Sequence, residues 1–270
     1  QARAAAETRA RVTPTGRRSM TITRKSRTLA LVLPAIALGV LLAPLSAQTT
    51  HTVLQLNFDF SPNDLTIDVG DTVDFKWTSE THTVTEGLGP VPTGGEAFDQ
   101  LINPANQIFS VTFDTKFLFT YPRVNDTYDY YCIPHLSFGQ VGVVRVISPW
   151  SNDGFALAGA AGEPLLYGNG TLAAGTNAEV VLENAAPNAL VGLFISFASF
   201  PVPFKGGTLC TVPLDSLTLF PIGATGGVTL ADTIPAGIPS GVEMFWQYAI
   251  QDAAAPKGVA LSNCLRSTFP

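Results

Sequence analysis

Charge is scarce in this chain: Asp, Glu, Lys and Arg together make up 13% of 270 residues. Sulfur and imidazole are scarcer, with three Cys, two Met and three His. Amphipathic runs of helical period are missing from residue 52 to residue 147, which argues against a helical bundle there. A net charge of −6 with a pI near 5.0 excludes the basic face that a nucleic-acid binder needs. A hydrophobic fraction of 46% excludes a disordered chain. Abundance lies elsewhere, in 24 Gly and 20 Pro among many Thr and Val, a composition that points to an all-β protein. The length suits two modest domains or one large one.

The charge that exists is unevenly placed. Arg3, Arg9, Arg11, Arg17, Arg18, Arg24, Lys25 and Arg27 put eight of the 15 basic residues before residue 48, beside one acid, Glu7. The remainder holds seven basic against 20 acidic residues, a net −13. Residues 20–47 have the parts of a signal peptide: a cationic start at Arg24, Lys25 and Arg27, an apolar run from Leu29 to Leu42 broken by Pro34, and small residues at Leu45-Ser46-Ala47. The run is short for a membrane anchor. Cleavage before Gln48 and a secreted or periplasmic protein, with no membrane span in the mature chain, are the expectation. Residues 1–19 read as a leader extension ahead of Met20, from an over-extended reading frame or as an Arg-rich transit peptide.

From Thr52 the chain reads as short strands. Val53 to Phe58 and Leu65 to Val69 alternate with period two, and Gly70-Asp71 is a turn pair leading to Val73–Trp77. Ile108–Phe113, Tyr128–Cys132 and Val141–Ile147 complete a set spaced as in a sandwich. After Ser148-Pro149-Trp150 the composition shifts to Ala, Gly, Leu and Pro. Strand candidates there are Ala178–Leu182, Leu190–Phe197, Ser216–Phe220, Gly227–Leu230 and Val242–Ile250. Residues 48–148 are therefore read as one β domain and 149–270 as a second, antiparallel β-sandwich domain.

One stretch carries chemistry. Cys132 leaves a strand end, His135 follows three residues later, and Gln140 five beyond that, in Tyr131-Cys132-Ile133-Pro134-His135-Leu136-Ser137-Phe138-Gly139-Gln140. Fifty residues upstream lies His82, in Glu80-Thr81-His82-Thr83-Val84. Two imidazoles, one thiolate and a weak fourth donor form a set that suits copper and keeps its geometry on gain or loss of an electron. Zinc accepts the same donors. His51 has no motif around it and reads as a surface residue.

These residues carry a resemblance. Asp64-Leu65-Thr66-Ile67-Asp68-Val69-Gly70-Asp71, His82-Thr83-Val84 and Tyr130-Tyr131-Cys132-Ile133-Pro134-His135 make residues 50–147 similar to the plastocyanin/azurin family of blue copper proteins, the cupredoxins. The resemblance implies a Greek-key β-sandwich, one copper ion, and His82, Cys132 and His135 as its equatorial ligands. It also implies a protein redox partner docking near His135, within an apolar rim of Pro134, Leu136 and Phe138, and a through-bond route at Tyr131. Where the family usually has Met, this chain has Gln140, as stellacyanin-like members do, and no methionine is close in sequence. The expectation is an axial amide oxygen and a lowered reduction potential. Thr83 stands where relatives often have Asn and is expected to pin the ligand loop. The segment Lys116–Thr127 is longer than the tight turn expected before Cys132.

Three Cys leave an odd one. With Cys132 assigned to copper, Cys210 and Cys264 remain as a disulfide pair or as free thiols. The second domain has no His and no spacing of acids that suggests a catalytic pair, and Phe194, Phe197, Phe200 and Phe204 read as core. Its last residues weakly resemble a β module at the end of secreted bacterial proteins. The reading is an exported one-electron carrier and no enzyme, since three His leave no room for the further sites of copper oxidases. The net −8 of residues 48–148 would steer a basic partner. Copper storage or delivery, and a metal-free structural module, are the alternatives.

Overall fold

A computed structural model describes residues 48–270. The leader extension at 1–19 and the signal at 20–47 lie outside the described residues. Among those described, no helix is long and apolar enough to cross a membrane.

The first nine strands are β1 (Thr50–Leu56), β2 (Asp59–Ser61), β3 (Asp64–Asp68), β4 (Thr72–Trp77), β5 (His82–Glu86), β6 (Asp99–Ile102), β7 (Ile108–Thr112), β8 (Thr127–Tyr131) and β9 (Val141–Ile147). They form two sheets, in the orders β2-β1-β4-β7 and β3-β9-β8-β5-β6. The pairs β1–β4 and β3–β9 are parallel and the others antiparallel. Two sheets facing across a shared core make the sandwich that the resemblance implies. Val53, Phe60, Val73, Phe75, Val84, Phe113, Tyr128, Tyr130 and Val144 fill it. Residues 70 and 71 turn the chain from β3 to β4, with Gly70 at φ +98°, a conformation favouring glycine.

Strand β1 does not sort its faces by polarity. Gln55 points inward and is fully buried, while Leu54 and Leu56 are each 39% exposed. Gln55 donates from Nε2 to the Thr83 carbonyl, at the long distance of 3.5 Å, which ties β1 to the strand bearing His82.

The long segment before Cys132 holds a short helix, α1 (Thr115–Thr120), capped by the Asp114 carboxylate accepting from the Phe117 N–H at 2.7 Å. Lys116 on α1 pairs with Glu183 at 2.7 Å. The extra length is therefore a contact with the second half of the chain.

That half holds β10 (Trp150–Asn152), β11 (Leu165–Asn169), β12 (Asn177–Glu183), β13 (Leu190–Ser196), β14 (Val202–Phe204), β15 (Gly207–Leu209), β16 (Ser216–Pro221), β17 (Val228–Thr233), β18 (Glu243–Gln251), β19 (Val259–Leu261) and β20 (Leu265–Thr268). Its main sheet runs β10-β20-β18-β13-β16, with β19 beside β18; β11-β12-β17 make a second sheet and β14-β15 a hairpin. All pairs are antiparallel. No described strand pairs across Ser148. Cys210 and Cys264 form a disulfide and Cys132 is free. Phe194 and Phe204 pack edge to face at 5.8 Å, but Phe197 and Phe200 are exposed, contrary to a reading of all four as core. They sit in the loop between β13 and β14.

Candidate metal centre

Strands β5, β8 and β9 are neighbours in one sheet, and their ends bring the candidate donors together. His82 opens β5, Cys132 follows β8, and Gln140 precedes β9. The loop between Cys132 and Gln140 closes on itself. The Cys132 N–H donates to the Gln140 carbonyl at 3.0 Å, and the His135 N–H to the Cys132 carbonyl at 3.2 Å. Gly139, at φ +85°, ends a single 3-10 turn over Leu136–Phe138.

The structure brings His82, Cys132 and His135 together, with one donor atom from each within 4.8 Å of the others. Cys132 Sγ lies 3.7 Å from His82 Nδ1 and 3.5 Å from His135 Nδ1, and the two Nδ1 atoms are 3.2 Å apart. The point equidistant from the corners of such a triangle is about 2.0 Å from each, the length of a metal–imidazole bond. The residues present therefore fit a single small metal ion. Gln140 Oε1 lies close by, 3.1 Å from His82 Nδ1 and 3.0 Å from His135 Nδ1.

Each donor is aimed by a neighbour. His82 Nε2 lies 2.9 Å from the Ser79 carbonyl, an acceptor only, so Nε2 carries the proton and Nδ1 presents its lone pair. Gln140 donates from Nε2 to the carbonyls of Leu56 at 3.3 Å and Asp59 at 3.1 Å, which leaves Oε1 facing the histidines. The Thr83 N–H donates to Cys132 Sγ at 3.4 Å. Thr83 Oγ1 accepts from the Ile133 N–H at 2.8 Å, so the hydroxyl does pin the ligand loop. Burial pushes the Cys132 thiol up, against the pull of the Thr83 and His135 N–H groups, so a cation beside the sulfur favours the thiolate.

His82, Cys132 and Gln140 are buried, whereas His135 is only half-buried. Around it the chain is apolar. Phe58 meets the His135 ring edge to face at 5.2 Å and lies 4.8 Å from Phe138. Phe58 and Phe138 are 52% and 66% exposed, which makes them rim and not core. Ile133 and Pro134 are exposed beside them, with Leu136 half-buried. Tyr131 is buried beneath the turn at Gly89, where a Cβ would come within 3.0 Å of its ring. His51 is not a free surface residue: its Nε2 lies 2.8 Å from the Asp71 carboxylate, which also accepts from the Thr49 N–H.

Sequence reasoning missed Ser79 and Phe58. Ser79 acts through a backbone carbonyl, which leaves no trace in residue type. Phe58 belongs to an alternating run and shows its role only once the turn after β1 lays it against His135.

A family model for copper binding proteins of the plastocyanin/azurin family matches residues 47–147. Chloroplastic plastocyanin of Hordeum vulgare is 31% identical over 120 residues, which cover 42% of this chain and 72% of that protein. Plastocyanin of Vicia faba is 32% identical over 94 residues, covering 32% of this chain and 86% of that protein. Chloroplastic plastocyanin of Oryza sativa subsp. indica is 34% identical over 92 residues; they cover 32% of this chain, which spans about half (54%) of that relative's length. Oxidized plastocyanin of the fern Dryopteris crassirhizoma is a solved structure with 21% identity and a TM-score of 0.28, covering 36% of this chain and 99% of that one. With donors that fit one metal ion and these relatives, the chain belongs to the plastocyanin/azurin family of copper binding proteins, and copper is its cofactor.

Proposed function

We propose that the protein is an exported one-electron carrier in which His82 Nδ1, Cys132 Sγ and His135 Nδ1 hold a single copper ion and Gln140 Oε1 is the weak axial donor. Copper supplies the Cu(I)/Cu(II) couple. The carrying observation is that every donor except His135 is buried and held from behind by the backbone. A site fixed in this way has little to rearrange between two oxidation states. That favours electron transfer over storage or delivery, where donors must open to release the ion.

His135 is the donor nearest solvent, and its apolar rim offers a partner a short path to the site. We infer a protein redox partner with a basic surface, docking over Phe58, Phe138 and His135. The net −8 of residues 48–148 supports such steering, which weakens as salt rises. Export is supported by the Cys210–Cys264 disulfide, a bond at home in oxidising compartments. No enzymatic step is proposed.

Voltammetry of the copper-loaded chain tests the carrier reading. A reversible single-electron wave, with fast exchange to a second redox protein, supports it. Copper that binds but leaves the protein on reduction favours storage or delivery and contradicts it.

A further inference from the structure

The carbonyl that orients His82 sits on a turn with a costly backbone. Residues 78–81 carry the chain from β4 in one sheet to β5 in the other. Within them Glu80 stands at φ +58°, in the left-handed region that favours glycine. A non-glycine residue stays there only where its surroundings hold it, and such residues gather at ligand clamps. The hold is visible here. Trp77, the last residue of β4, donates from its indole Nε1 to the Glu80 carbonyl at 2.6 Å. Thr78 donates its hydroxyl to the Gln55 carbonyl, and Ser79 donates its own to Asn57 Oδ1 at 2.8 Å.

Glu80 Cα joins two peptide planes. One carries the Ser79 carbonyl, which meets His82 Nε2 at 2.9 Å, and the other carries the Glu80 carbonyl gripped by the indole. With the second plane fixed, the two torsions of Glu80 set where the first one points. That direction matters because His82 has a choice of tautomer. With its proton on Nε2 the ring donates to Ser79, and the Nδ1 lone pair faces the other donors. With its proton on Nδ1 the ring donates instead to Gln140 Oε1, 3.1 Å away, and the lone pair that a metal needs there is gone. The Ser79 carbonyl tips this balance.

We propose that Trp77 is a positioning residue for His82: its indole N–H holds Glu80 left-handed, which keeps the Ser79 carbonyl on Nε2 and the Nδ1 lone pair in the metal site. Trp77 acts through the Glu80 and Ser79 backbone. The consequence for copper rests on the proposed function; the hydrogen bond from His82 to Ser79 belongs to the metal-free polypeptide.

The test uses Trp77→Phe, which removes the N–H and keeps an aromatic ring, and the double variant Trp77→Phe/Glu80→Gly, in which glycine adopts the left-handed turn freely. Long-range proton–nitrogen NMR of the metal-free full chain identifies the nitrogen of His82 that carries the proton and follows the exchange of that proton with solvent. In the wild-type chain it is Nε2. Trp77→Phe should speed exchange of the Nε2 proton roughly fivefold, the equivalent of one hydrogen bond, and weaken copper binding by up to about tenfold. Strand amides of the second half, such as that of Val180, stay unchanged, and Glu80→Gly recovers part of both losses. A wild-type His82 protonated on Nδ1, or an unchanged Nε2 proton in Trp77→Phe, overturns the proposal. So does a rise that Glu80→Gly leaves in place, because that is lost packing of the larger ring, and so does a uniform rise across all amides, because that is lost stability alone. If Trp77→Phe fails to fold, the Trp77 indole N–H of the wild-type chain decides the matter: exchange well below the rate of a free indole supports the clamp, and exchange at that rate overturns it. Failure of the wild-type chain to bind copper would refute the proposed function while leaving the metal-free exchange result to stand by itself.

Discussion

Gln140 turns its side-chain oxygen to within 3.1 Å of the His82 Nδ1 atom, although the two residues are 58 positions apart in the chain. Two carbonyls, of Leu56 and Asp59, grip the amide nitrogen and so decide which end of the side chain faces the donors. The turn between β1 and β2 thereby helps to build a site formed by strands of the other sheet.

Replacing Gln140→Met is expected to raise the midpoint potential, because a thioether is softer than an amide oxygen and favours Cu(I). It also leaves the two carbonyls without their donor, at a cost of about 1–3 kcal/mol. Redox titration and denaturant unfolding of the same variant separate the two effects. An unchanged potential beside a lowered stability would mean that Gln140 only ties the turn to the site.

Gly142 has no room for a side chain. A Cβ there would lie 2.3 Å from the ring of the buried Tyr130, whose place in the core is fixed by Phe60 and Phe75 at 4.9 and 5.1 Å. Gly142→Ala should destabilise the protein by about 1–3 kcal/mol, read as a lower denaturant midpoint. Wild-type stability in this variant would show that Tyr130 moves freely.

Much of this was legible in the sequence, for identifiable reasons. The strands flanking Cys132 and Gln140 alternate in the ordinary way, and the Cys-x-x-His spacing places Cys132 and His135 in one loop. His82 lies in β5, a strand the alternation alone does not mark, since Thr83, Val84, Thr85 and Glu86 include buried polar residues. Gln55 and the outward Leu54 and Leu56 invert the expected polarity, because a buried amide there finds the Thr83 carbonyl. His51 looked free because Asp71, its partner, is 20 residues away in sequence and becomes its neighbour only when β1 and β4 pair in parallel. Contacts made through backbone atoms, such as Ser79 with His82, have no sequence signature at all.

Reduction of the Cys210–Cys264 disulfide opens a loop spanning 54 positions in the second half. The chain-entropy model gives a loss of about 4 kcal/mol. Thermal unfolding of a Cys210→Ser/Cys264→Ser double variant should show this loss, while the visible spectrum of the copper-loaded protein stays as it was. A changed spectrum would mean that the second half shapes the metal centre.

The α1 contact with the second half should weaken in acid. The Lys116 ammonium and the Tyr167 hydroxyl hold the Glu183 carboxyl below its ordinary value of 4.5. A depressed folded value means that this contribution is present above pH 4.5 and is lost as pH falls through the lower folded value. Both side chains are partly exposed, so the contribution is at most about 1 kcal/mol. Lys116→Ala should flatten the acid limb of the stability curve by that amount. An identical acid limb would place the acid sensitivity elsewhere.

The most direct test of the metal centre is the addition of Cu(II) to the purified protein, followed by its visible spectrum. One equivalent of copper should produce an intense thiolate-to-copper band, absent from Cys132→Ser and lost or displaced in His82→Ala. A protein that remains colourless after copper loading, or a band that survives Cys132→Ser, would contradict the assignment.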